Sequence, residues 1–161
     1  MDSLEAIHLA ALYAGPQVLE LLVDSRFKVD HPTTCVTSTF NLWTPLHFAA
    51  SVANFPAIDW LVQNGANSFA RTGQSQTPIH ISISHCHQIG PSRVKSTVEH
   101  LISHLSHTDG LNIEDSHGMT GLDLAKAGGL TETTQLLLEH GATENSREKV
   151  RRLSSPTLAS L

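Results

Sequence analysis

The chain has 161 residues, 40% hydrophobic and 16% charged, with a formal net charge of -5, which is enough to bury one core of ordinary single-domain size. That balance leaves no basic footprint and argues against a nucleic-acid partner; the two cysteines, Cys35 and Cys86, are too few for a disulfide framework and fit a reducing cell interior. The start, Met1-Asp2-Ser3-Leu4-Glu5, is not that of a secretory signal, and no stretch approaches the ~18 apolar residues of a membrane span, so the expectation is a soluble intracellular protein, in cytoplasm or nucleus, with no membrane partner.

One phrase returns four times along the chain: Ala6-Ile7-His8-Leu9-Ala10-Ala11, Thr44-Pro45-Leu46-His47-Phe48-Ala49-Ala50, Thr77-Pro78-Ile79-His80-Ile81-Ser82 and Thr120-Gly121-Leu122-Asp123-Leu124-Ala125. From His8 to His47 is 39 residues, to His80 a further 33, and to Asp123 a further 43. The bare repeat is the middle interval, and the other two carry insertions. Thr44 and Thr77 are good N-caps, and Pro45 and Pro78 fall at the first helical position, where a missing N–H costs nothing. Each phrase therefore opens a helix. Apolar stripes downstream, Val18-Leu19-Leu21-Leu22, Ile58-Leu61-Val62, Val98-Leu101-Ile102-Leu105 and Leu136-Leu137-Leu138, supply a second helix that the small residues of the first let approach closely. Gly65 and Gly141 stand where those second helices should stop in left-handed dihedrals.

In these motifs the sequence resembles the ankyrin-repeat family, whose unit is a turn followed by two antiparallel helices with a T-P-L-H signature. Thr44 to Ala66 carries the match most closely, and 112–120 is similar to the family's inter-repeat finger. The resemblance implies an all-α ankyrin-repeat solenoid of about four helix-turn-helix repeats, in a domain over 1–143 with repeats at approximately 3–30, 44–71, 77–112 and 119–143. It also implies a structural role for His8, His47 and His80, tying each turn to its helix start. The outer copies depart from the pattern, with Glu5-Ala6 in the first and Gly121 and Asp123 in the fourth, as terminal repeats acting as caps would. The first finger is about six residues longer than the minimum, about seven residues are inserted at 86–94, and a further lengthening falls at 106–110; insertions in a solenoid map to loops. The segment 144–161 is basic and contains serine and proline, and reads as a frayed helix followed by disorder.

The family binds through its fingers and the inner surface of its first helices. Carried over by counting from each threonine, the candidate binding residues are Phe40, Asn41, Trp43, Ser51 and Val52, then Gln74, Gln76, Ser84 and His85, then Ser116, His117 and Met119, with Ala127 and Gly128 behind them. Phe40 and Trp43 are either exposed interface anchors or the core of a long finger folded over them; both readings stay open at this point. The expected function is a non-catalytic interaction module for a protein partner, without cofactor. The alternative is a small-molecule enzyme in the same groove, with His85 and His117 as acid and base beside Trp43.

Eleven histidines are present. His100, His104 and His107 share one helical stripe, a spacing that suits a metal, but Leu101, Ile102 and Leu105 mark the buried side and leave those histidines to solvent, so no metal site is assigned. His85-Cys86-His87 is a weaker pattern still. Phosphate-loop, dinucleotide and nucleophile-elbow motifs do not occur. Ser154 and Ser155, in Arg151-Arg152-Leu153-Ser154-Ser155-Pro156, are candidate phosphorylation sites beside two arginines.

Overall fold

The computed structural model describes residues 5–25, 27–34, 40–103 and 109–143. Ser154, Ser155, His104, His107 and Cys35 lie outside them, as does the tail over 144–161. The described residues form α1 (Ala6–Tyr13), α2 (Pro16–Ser25), α3 (Pro45–Val52), α4 (Phe55–Gln63), α5 (Pro78–Ser84), α6 (Cys86–Ile89), α7 (Pro91–Ser103), α8 (Gly121–Ala127) and α9 (Thr131–Glu139), with a 3-10 turn at Asp109–Asn112. Pairs α1–α2, α3–α4, α5–α7 and α8–α9 stack in order as an all-α solenoid. The first helices form one layer, each packed on the next, and the second helices form the other.

The four opening phrases fold as expected. In the second repeat the Thr44 N–H and Oγ1 both reach His47 Nδ1, at 3.1 and 2.9 Å. The opposite ring nitrogen, Nε2, lies 3.1 Å from the Gln76 carbonyl of the following finger. Each histidine thereby closes its own helix start and fastens the next unit. His80 repeats this with Thr77 at 3.2 Å and the Met119 carbonyl at 3.1 Å, and His8 with Glu5 at 3.1 Å and the His31 carbonyl at 2.8 Å. Asp123 does only the first half. Its Oδ2 accepts from the Thr120 N–H at 2.9 Å and Oγ1 at 2.8 Å, while its buried Oδ1 has no partner among the described residues.

Between the layers the core is aliphatic, with Ile7, Leu19, Leu46, Ile58, Leu61, Val94, Val98, Leu101, Leu122 and Leu137 fully or almost fully buried. Ala49 and Ala50 have no exposed surface, which is the close approach that small residues permit. Asn54 ties the first two repeats together, donating its side-chain amide to the Ala11 and Ala14 carbonyls at 3.0 and 3.1 Å. The insertion at 86–94 is not the loop that was expected. It makes α6 and the first turn of α7, because Gly90, at φ 85°, stops one helix and Pro91 opens the next.

Gly65 and Gly141, both at φ 88°, end α4 and α9 as the sequence indicates. Nothing lies within 4 Å of a Cβ built at Gly65, so a substitution there reports backbone strain without a clash. Gly65→Ala should lower the unfolding free energy by about 1–2 kcal/mol, measured by urea denaturation with an unchanged m-value.

Candidate interaction surface

Among the described residues, hydrogen bonds close each of the three connections between repeats. In the first, the Thr33 N–H donates to the Trp43 carbonyl at 2.8 Å, and Thr33 Oγ1 receives the Trp43 N–H at 3.0 Å and donates to the Phe40 carbonyl. The second closes through Thr72 N–H to the Gln76 carbonyl at 2.9 Å, and the third through Asp115 N–H to the Met119 carbonyl at 2.9 Å. Asp115 also accepts from the His117 and Met119 N–H groups through Oδ1, at 2.8 and 3.0 Å.

Neighbouring fingers are then joined edge to edge. The Gly73 N–H donates to the Asn41 carbonyl at 2.8 Å, and the Ser116 N–H to the Gln74 carbonyl at 2.9 Å. Arg71 adds a guanidinium bond to the Glu114 carbonyl at 2.8 Å. A Cβ on Gly73 would collide with the Asn41 side-chain amide, so a larger residue there would have to displace that amide. The result is a row of connections joined through Asn41, Gly73, Gln74 and Ser116.

The two aromatic candidates divide between the two readings. Trp43 is only 4% exposed, packed 5.1 Å from Phe40, 5.0 Å from Phe48 and 6.1 Å from His85 by ring centroids. Phe40, stacked edge-on over it, keeps 39% of its surface in solvent. Trp43 is thus the footing and Phe40 the projecting ring.

Among the other candidates, Gln74, Ser84, Ser116 and His117 are exposed, with Ala127 and Gly128, whereas Asn41, Val52, Gln76, His85 and Met119 are half-buried. Ser51 is buried, its hydroxyl spent on the Phe48 carbonyl at 2.8 Å. Leu42 escaped the sequence reading. It is 45% exposed beside Phe40 and holds φ 57°, a conformation that no residue type in the finger announces.

The proposed acid–base pair is divided between two elements. His85 lies against Trp43 with Nδ1 2.9 Å from the Ile81 carbonyl. His117 stays with its own turn, its Nδ1 3.7 Å from Asp115 Oδ2 and 3.5 Å from Ser116 Oγ. On the second-helix layer His100 is engaged too, stacked 4.9 Å from Phe55 and bonded to Asp59 at 2.7 Å. Among the described residues no group of three or more His, Cys, Asp or Glu side chains is placed to hold a metal ion, and no helix is long and apolar enough to cross a membrane.

Burial holds the stacking histidines neutral. Desolvation pushes His47 down to about 4, against the hydrogen bond to the Gln76 carbonyl that opposes it. His8 and His80 are lowered for the same first cause.

Comparison with known proteins agrees with this architecture. The family profile described as ankyrin repeats (3 copies) matches residues 7–90, just over half of the chain. The chain is 34% identical over 79 residues to CAP-Gly domain-containing linker protein 3 of Xenopus laevis, covering 49% of this chain and 14% of that protein. It is 31% identical over 99 residues to human transient receptor potential cation channel subfamily A member 1, covering 62% and 8%. Mouse Rabankyrin-5 shares 31% identity over 110 residues, covering 67% and 9%. The matched segment thus spans at most 14% of the length of these relatives.

Proposed function

The chain belongs to the ankyrin-repeat family, and on that footing we propose that it is a non-catalytic interaction module that seats a protein partner on its finger row, with Phe40 and Leu42 as apolar anchors. The observation that carries this reading is the pinned row itself. Two adjacent apolar side chains project from backbone held by hydrogen bonds on both sides. Mounting them on hydrogen-bonded backbone lowers the ordering cost that a partner would otherwise have to offset on binding. Polar Gln74, Ser116 and His117 continue the row and suit the wetter rim of such an interface.

The test is affinity capture from the source cell with the intact chain and with a Phe40→Ala, Leu42→Ala variant. A captured protein should bind the variant about 10-fold or more weakly, with an unchanged circular dichroism spectrum showing that the stack still folds. Equal binding by the two forms would remove the finger row as the seat of recognition.

A further inference from the structure

The fourth repeat leaves one buried atom over. Asp123 is 5% exposed; its Oδ2 holds the Thr120 cap, and its Oδ1 has no partner among the described residues. In the second and third repeats the group at this place is a histidine. Its Nδ1 accepts from the threonine N–H, so the ring proton sits on Nε2 and is donated to the carbonyl of Gln76 or Met119 in the following connection. A carboxylate oxygen reverses that polarity. It repels a carbonyl and calls for a donor, and a buried carboxylate calls for a charged one.

The chain past Thr143 is set on course to bring such a donor. Asn67 enters the second connection with its N–H on the Asp30 carboxylate, at 3.0 and 3.1 Å, and Thr143 leaves α9 with its N–H on Asn112 Oδ1 at 2.7 Å. Each follows a Gly-Ala pair whose glycine holds φ 88°. The sequences then run on in parallel. Gly65, Ala66 and Arg71 recur at the same offsets as Gly141, Ala142 and Arg147, and Asn145 and Glu148 repeat the spacing of Asn112 and Asp115. Gln76, which His47 grips, stands nine residues after Asn67; nine residues after Thr143 stands Arg152. The charges are complementary as well, with thirteen acidic and six basic residues in 1–143 against two acidic and four basic in 144–161.

We propose that residues 144–152 dock along the third connection, and that the Arg152 guanidinium fastens them to the Asp123 carboxylate. The contact is a charge-assisted hydrogen bond to Oδ1, made at the place where His47 and His80 hold the connections that follow them. It gives the buried carboxylate its counter-charge and lengthens the row of connections by one.

Nuclear magnetic resonance of the full chain tests this, with a nitroxide on Ser154→Cys in a Cys35→Ser, Cys86→Ser background. Amides of 115–120 should be broadened, and those of α1 and α2 should not. Arg152→Glu should lower the ratio of docked to free segment about 10-fold or more, read from the same broadening. Arg151→Glu makes the same change of charge on a side chain that faces the other way in an extended segment, and should leave the ratio as it is. Asp123→Asn should act as Arg152→Glu does; because it also touches the Thr120 cap, the arginine variants decide the question if that form unfolds. Broadening spread evenly over the chain, helical carbon shifts across 144–152, indifference to Arg152→Glu, or equal loss with both arginine changes would each overturn the proposal.

Discussion

Lowering the pH from 7 to about 4 is expected to weaken the stack by about 3 kcal/mol through His47 alone. In the unfolded chain this imidazole takes up its proton near 6.5, and in the folded one only at about 4, because burial disfavours the charged ring. Between those values the unfolded state binds more protons. The stabilisation is therefore fully present above pH 6.5 and is lost as the pH falls through the window to about 4. His8 and His80 are shifted in the same direction and add to the loss. Protonation would also put a hydrogen on Nδ1 where the Thr44 N–H and hydroxyl already donate, so the acid form loses the helix start together with its solvation. Melting temperatures measured between pH 7 and 4.5 should fall steadily, and the His47 ring resonances should not titrate until near pH 4. A flat melting profile, with the ring titrating near 6.5, would mean that the histidine is not held as described.

The parts of this fold legible in the sequence are those fixed by local chemistry. Thr44-Pro45-Leu46-His47 specifies a cap, a first-turn proline and a bridging imidazole within four residues, and Gly65 marks a dihedral that few other residues tolerate. The depth of Trp43 was not legible, because an aromatic residue serves equally well as an anchor or as core; what decides is that Phe48 and His85 flank it from two repeats. Gly90 and Pro91 could have signalled that the 86–94 insertion is helical, since together they are a stop followed by a start. Exposure at the ends of the stack was hidden for another reason. Leu21 and Leu136 are the same residue at the same place in the repeat, yet they are 71% and 9% exposed: α9, which carries Leu136, packs on α7, whereas among the described residues no helix lies before α1 and α2. The histidine bridges belong to both classes: the contact to the helix start is local, while Gln76 and Met119 are reached only once the next finger is in place.

Phe48→Ala is expected to cost about 3–5 kcal/mol, the range for a fully buried aromatic truncated to a methyl group. Phe48 is 1% exposed and sits at the junction of the first two repeats, its ring 5.3 Å from His8, 5.0 Å from Trp43 and 5.4 Å from Phe40. The cavity would therefore open on both sides of one interface, and in a stack whose stability is a sum of neighbour terms the weakened junction is where separation begins. Amides of α1 and α2 should lose hydrogen-exchange protection before those of α5 and α8. Trp43 would lose one wall of its pocket, and its fluorescence should shift towards that of a solvated indole, with Trp60 as the internal reference. Phe48→Leu keeps most of the volume and should cost less than about 1.5 kcal/mol. The pair of variants also connects packing to recognition: because Phe40 rests on Trp43 and Phe48, the alanine form should lose partner binding although Phe40 itself is intact, and the leucine form should keep it. Equal binding by both would show that the finger backbone, closed through Thr33, holds Phe40 in place without the aromatic footing beneath it.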